Sequence, residues 1–231
     1  MPKIAADGKY LTVLNLFSTD AAEKQDSLLG AMREIVDAAA YPGWISSTVH
    51  SGTDRFGTAN FIQWRSTEDL EKRYAGEEFK HRTLPLFSEM TTAIRLLQNE
   101  VVHTLQAPEL GGVTEISPTR DDHTVIEVLK VAEENQDALI DALGPSQEWL
   151  LKVPGFRSHT VLRGLRARGL DGTFVVTYAQ WADKASYDAF RTTPQSEQPA
   201  DRLASEARAD ALVVERDSNT YRVVHTRTSA A

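Results

Sequence analysis

The sequence predicts an α+β protein made of two tandem β-α-β-β-α-β units whose antiparallel sheets pack into one α+β barrel. Two observations carry this expectation. Short words recur in the same order along the chain, and within each copy the apolar residues alternate between the two-residue period of strands and the three-to-four-residue period of helices. Thr12-Val13 returns as Thr124-Val125, and Pro42-Gly43 returns as Pro154-Gly155 at the same interval. "KQDSLLGAM" (24–32) resembles "NQDALIDAL" (135–143), Gln63-Trp64 returns as Gln180-Trp181, and "VVHT" stands at 101–104 and again at 223–226. By the Gln-Trp pair the interval has lengthened, which places extra residues in the second copy around "RGLRARGLDG".

The elements of the first copy follow from local pattern. "LTVLNLF" (11–17) reads as a strand, and Ser18, Thr19 and Asp20 are good helix caps, so a helix is expected over about 20–39. Leu28, Leu29, Met32, Ile35 and Val36 give that helix one apolar face, and Tyr41-Pro42-Gly43 ends it. "WISSTVHS", the turn "TDRFG" and "TANFIQW" form an antiparallel hairpin. "STEDLEKRY" opens a capped helix with acids in its first turn, a further helical piece is expected over about 80–97, and "NEVVHTL" (99–105) closes the unit as a strand. This order is the ferredoxin-like split βαβ, with helices on one sheet face only, so each bare face needs the other unit's sheet as its cover. The expected division is a first repeat over 1–105, a linker over 106–122 and a second repeat over 123–231. The linker "QAPELGGVTEISPTRDD" has the Gly, Pro and acid content of an exposed connector.

Composition narrows the function classes. Hydrophobic content of 41% with four Trp supports a packed core rather than disorder. No apolar run reaches the roughly 18 residues of a membrane helix and the first residues lack signal-peptide character, so a cytoplasmic protein without membrane partners is expected. With no Cys, thiolate metal sites, disulfides and Cys nucleophiles are excluded. A net charge of −8 argues against a nucleic-acid partner. The six His show no zinc-like spacing, so no metal is expected, and neither a phosphate-binding glycine loop nor a G-x-S-x-G elbow occurs.

An internal Asn in the first strand, Pro-Gly-aromatic before the second, a strand ending in Gln-Trp before a charged helix, and a closing Val-Val strand together resemble the antibiotic biosynthesis monooxygenase family of the dimeric α+β barrel superfamily. The resemblance spans both repeats and implies an intramolecular pseudo-dimer; whether the tandem chain pairs again is left open. It implies a monooxygenase of aromatic polyketide biosynthesis that oxidises a polycyclic phenol or anthrone with O2 and no cofactor. Alternatives within the same resemblance are ring cleavage of an angucycline-type polyketide with diffusible reduced flavin (FADH2 or FMNH2), haem degradation, and a non-catalytic small-molecule binder.

Residue by residue, the resemblance carries onto Asn15, Asn60 and Trp64 as catalytic candidates, and onto Arg82 as a cation from the following helix. His81 and His50 join Arg82 as substrate-binding candidates, and His81 is also the candidate ligand of the haem reading. In the second repeat Trp181 is retained, but Glu127 and Thr177 stand where the Asn residues should be, so one working site in the first repeat is expected. The chemistry suits the residue types. Triplet oxygen reacts slowly with closed-shell molecules until a phenolate or enolate forms, and a carboxamide or an indole N–H stabilises such an oxyanion without being consumed. Blander roles remain open: a packing anchor for Trp64 and Trp181, a bulge partner for Asn15, a solvent-facing strand residue for Asn60, and a surface charge for Arg82.

Overall fold

Eight strands close into a ring in a computed structural model of the chain, which describes residues 1–229. A two-stranded ribbon, β1 (Lys3–Ile4) with β6 (Thr114–Glu115), lies outside the ring. The first half supplies β2 (Leu11–Ser18), β3 (Trp44–Gly52), β4 (Gly57–Trp64) and β5 (Ala93–Gln106). The second supplies β7 (His123–Val131), β8 (Phe156–Arg168), β9 (Thr173–Trp181) and β10 (Val213–Thr228). Around the barrel the order is β10-β3-β4-β2-β5-β8-β9-β7, so each half keeps the ferredoxin-like order and two antiparallel seams, β5 with β8 and β10 with β3, join the halves.

Strand alternation sorts the side chains between two environments. Leu14 and Leu16 of β2 point into the barrel, with Phe61 and Leu97 from the same half and Ile126, Leu162 and Tyr178 from the other. Val13 and Phe17 point outward onto α1 (Ala22–Ala38), meeting Leu28, Met32 and Val36. The remaining helices, α2 (Thr67–Ala75) and α3 (Leu84–Met90) in the first half and α4 (Gln136–Leu143), α5 (Lys184–Thr192) and α6 (Ala200–Asp210) in the second, join α1 on the outer surface. Each repeated Pro-Gly has a geometric cause. Gly43 (φ +80°) and Gly155 (φ +78°) take a left-handed turn, and their carbonyls accept from the N–H groups of Arg65 and Ala182 at 2.8 and 2.7 Å, just past each Trp.

Several boundaries depart from expectation. The N-cap of α1 is Ala21, with no side-chain cap, because the Thr19 hydroxyl donates to the Ala21 carbonyl instead. The helical piece expected to reach residue 97 ends at Met90, after a π-helical turn over Phe79–Thr83, and β5 begins at Ala93. The apolar run Ile94, Leu96, Leu97 suits either period; pairing with both β2 and β8 satisfies the strand's backbone on two sides and decides for β. The extra residues of the second copy lengthen β8, whose far end reaches Leu96 through Arg168. The linker is not simply exposed. Its Thr114 and Ile116 are fully buried, with Ile116 packed beside Ile4 in the barrel cluster, a burial that contributes about 2 kcal/mol.

His50 lies inside the barrel, fully buried. Its Nδ1–H donates to the Ala59 carbonyl (3.2 Å) and its Nε2 accepts from the Tyr178 hydroxyl (2.9 Å). His159 is also buried and donates from Nε2 to the Leu143 carbonyl at 2.8 Å. Burial pushes both imidazoles down to about 4, from 6.5. Both are therefore neutral in the folded chain, while the unfolded chain takes up protons below about pH 6.5. Folding stability should fall as pH drops from about 6.5 to about 4, by up to roughly 3 kcal/mol per His. Urea unfolding at stepped pH checks this; a flat profile through that window would contradict it.

Candidate active site

Asn15 on β2 and Asn60 on β4 are directly opposed cross-strand partners. They share the outward face with Val13, so both carboxamides leave the barrel and enter the space beneath α1 and α2. Trp64 ends β4 and reaches the same space. It also receives Tyr74, which α2 delivers because Leu70 and Tyr74 lie four residues apart on that helix's buried face. Ser66 caps α2 by accepting from the Asp69 N–H, which fixes where the helix starts and so where Tyr74 sits.

These four residues line a cavity of about 80 Å³, and the Asn15 Oδ1, Asn60 Oδ1, Trp64 Nε1 and Tyr74 Oη atoms are all buried without a hydrogen-bond partner. Folded proteins seldom leave such groups unpaired, since each costs about 1–3 kcal/mol. Single buried unpaired atoms occur elsewhere, for example at Thr48 and Thr160, but none lines the larger cavity of the second half. Most of the remaining wall is apolar, including Phe17, Trp44, Phe79, Phe87 and Leu96, with Ser47, Arg73 and Thr83 as polar members. Tyr41 lies roughly parallel to Trp64, 6.5 Å away between ring centroids.

Burial raises the Tyr74 phenol to about 12, so it stays protonated and serves as a donor at neutral pH. The Arg168 guanidinium, carried across by β8 of the second half, lies 4.8 Å from the Tyr74 ring and 3.4 Å from Glu71. Arg73 supplies a cation in the wall, 4.1 Å from the Tyr41 ring, paired with Glu78 at 3.2 Å and donating to Thr83 Oγ1 at 3.3 Å.

Three of the six residues expected at the site lie elsewhere. His81 and Arg82 are exposed, because the π turn directs Phe79 and Thr83 inward and the residues between them outward. His81 faces Glu77 at 3.1 Å, so the Asn15, Trp64 and His81 set of the haem reading is not assembled. His50 sits on the opposite sheet face, inside the barrel, since alternation gives Val49 to the helix side. Sequence reasoning missed Tyr74 and Arg73, although "EKRY" carried the signal: both stand within the helix that follows Gln-Trp, and Tyr74 shares a face with Leu70.

The second half repeats the arrangement with different chemistry. Glu127 and Thr177 are opposed on β7 and β9, as the two Asn residues are on β2 and β4, and with Trp181 they line a cavity of about 510 Å³. Thr177 Oγ1 donates to Glu127 at 3.4 Å, and Arg216 donates to both Glu127 oxygens at 3.2 and 3.3 Å.

Comparison with known proteins places these features in a family. A model described as antibiotic biosynthesis monooxygenase matches residues 122–201, the repeat in which Glu127 and Thr177 replace the carboxamides. Tetracenomycin-F1 monooxygenase of Streptomyces glaucescens is 35% identical over 101 residues, which are 43% of this chain and 86% of that protein. A crystal structure of an anthrone oxidase-like protein is 60% identical, covers 98% of this chain and 96% of its own, and superposes with a TM-score of 0.96. A chlorite dismutase from Candidatus Nitrospira defluvii, 10% identical with a TM-score of 0.56 and covering 95% of this chain and 92% of its own, shares the fold alone.

The unpaired carboxamides should cost stability. Asn15→Leu keeps the branched shape and the heavy-atom count, extends slightly into the adjoining cavity and removes a buried unsatisfied group, so it should raise unfolding stability by about 1–2 kcal/mol. A urea unfolding comparison checks this; a loss of stability would mean that Asn15 has a structural partner.

Proposed function

Since the chain belongs to the antibiotic biosynthesis monooxygenase family, we propose that it oxidises a polycyclic phenol or anthrone with O2 in the first-half cavity, using no metal and no bound cofactor. The observation that carries this reading is the set of four side chains with an unpaired buried polar atom, Asn15, Asn60, Trp64 and Tyr74, in one largely apolar cavity. The printed names of two relatives, a tetracenomycin-F1 monooxygenase and an anthrone oxidase-like protein, support the substrate class.

The chemistry asks the protein to favour an anion and to exclude water. The Trp64 indole can only donate, each carboxamide can present its NH2 or its oxygen, and Tyr74 remains protonated, so an enolate or phenolate oxygen finds donors on several sides. Arg73 and Arg168 add positive potential beside it. The electron-rich carbanion passes one electron to O2, and superoxide and the carbon radical combine as a hydroperoxide. Loss of water then leaves a carbonyl. A CH2 group plus O2 becomes C=O plus H2O, so the substrate supplies all the electrons and no external reductant is consumed.

About 80 Å³ is less than a tricyclic ligand requires, so admission must widen the site. The irregular segment beside it is the π turn over Phe79–Thr83, and insertions of this kind recur at functional sites.

Oxygen uptake by the chelated protein with a tricyclic anthrone tests the reading, first alone and then with reduced flavin and catalase. Uptake without flavin is expected, and Trp64→Phe and Asn60→Ala should each lower kcat by about 100-fold, with smaller effects on KM. Uptake only with reduced flavin would favour the ring-cleaving alternative. Binding of the anthrone with no uptake in either condition would favour a carrier.

A further inference from the structure

The larger cavity belongs to the half that lacks the carboxamides, and its floor has the opposite hydrogen-bonding sense. A carboxylate accepts and cannot donate, so Glu127 repels an oxyanion at the position where Asn15 would face it. Arg216 does not cancel that charge. The same guanidinium donates to Glu127 and, at 2.8 Å, to Asp210, so one positive charge serves two negative ones. Arg202 is held by Glu206 at 2.9 Å and donates to the Phe190 carbonyl at 3.3 Å. His159 in the wall is neutral and bonded to Leu143, and the Tyr187 phenol, pushed up first by burial and then by the Glu127 charge, stays protonated. Arg191 lies at the exposed rim, 5.6 Å from the Tyr187 ring.

The walls suit a flat aromatic molecule. Trp181 stacks on Phe190 with centroids 4.7 Å apart and planes 27° apart, and Trp149 lies 24° from the Phe190 plane on a 6.0 Å centroid spacing. A volume of about 510 Å³ falls within the range of small-molecule sites, roughly 300–1,000 Å³, whereas the first-half cavity does not. Glu127 accepts from Thr177 and Arg216 and has lone pairs left over, so a planar molecule that bonds to it must bring a hydrogen.

We propose that this cavity is a second, non-oxidising binding site, which takes a planar polycyclic phenol in its neutral form with the hydroxyl donated to Glu127. The ligand class rests on the proposed function only in that the same compound would serve both halves. Holding the proton on the phenol keeps the oxygen-reactive anion from forming. The second half therefore retains the molecule intact while the first half oxidises it.

The probe is 2-hydroxyanthraquinone, which changes colour on ionisation and has no CH2 group to oxidise. Titrated into the chain, it should bind in the neutral form and ionise at a pH higher by about one unit or more than in water. Glu127→Gln should abolish that shift while leaving anthrone-dependent oxygen uptake unchanged. Quenching of tryptophan fluorescence should persist in Trp64→Phe and decrease in Trp181→Phe. No binding, binding as the phenolate, a shift that survives Glu127→Gln, or quenching that depends on Trp64 alone would each overturn the proposal. Oxygen uptake measured on the same preparations keeps the two readings separate: absent uptake with an intact colour shift defeats only the first-half reaction, and the converse defeats only this site.

Discussion

A sheet with free edges exposes unpaired N–H and C=O groups, and two four-stranded sheets have four such edges between them. Here β5 pairs with β8 and β10 pairs with β3, so every edge of one half is consumed by the other and the eight strands form a closed ring. The placement of functional groups depends on that closure. With the ring closed, each strand residue has only two destinations, the common interior or the outer surface under the helices. A register slip of one residue would bring Leu14 into the cavity and bury the Asn15 carboxamide inside the barrel. Cross-strand pairing of Asn15 with Asn60 is thus a property of the whole ring, not of two neighbouring strands.

The second half contributes a side chain to the surroundings of the first cavity. Arg168 belongs to β8, yet its guanidinium faces Tyr74 and Glu71 of the first half, and it can reach them only because the second copy's hairpin is the longer one. The insertion therefore brings a guanidinium, paired with Glu71, over the ring of Tyr74. The same cavity leaves four buried polar atoms unpaired, a local cost that the surrounding apolar wall sustains.

Alternation made much of this legible. The period of "LTVLNLF" separates Asn15 from Leu14 and Leu16 before any coordinates exist, and the repeated Pro-Gly and Gln-Trp words mark the same turn in both copies. What could not be read depends on contacts between distant segments. Ile94 to Leu97 fits a helix until β2 and β8 are both present to pair with it. The outward turn of His81 and Arg82 depends on a π turn that a 3.6-residue reading does not contain. His50 faces the interior because the register shift between Trp44 and Ser46 breaks the strand alternation, a feature that shows only when β4 is aligned against β3. Ile116 looked like part of a connector because only the barrel provides the pocket that buries it.

In a barrel assembled from two identical subunits, every coding change is made twice, and a substitution that spoils one cavity spoils both. A tandem chain removes that coupling. Its two copies differ at matching places: Asn15 and Asn60 are opposed in the first, and Glu127 and Thr177 in the second. A tandem chain thus encodes its two cavity floors in separate residues, so a change at Glu127 or Thr177 leaves Asn15 and Asn60 as they are.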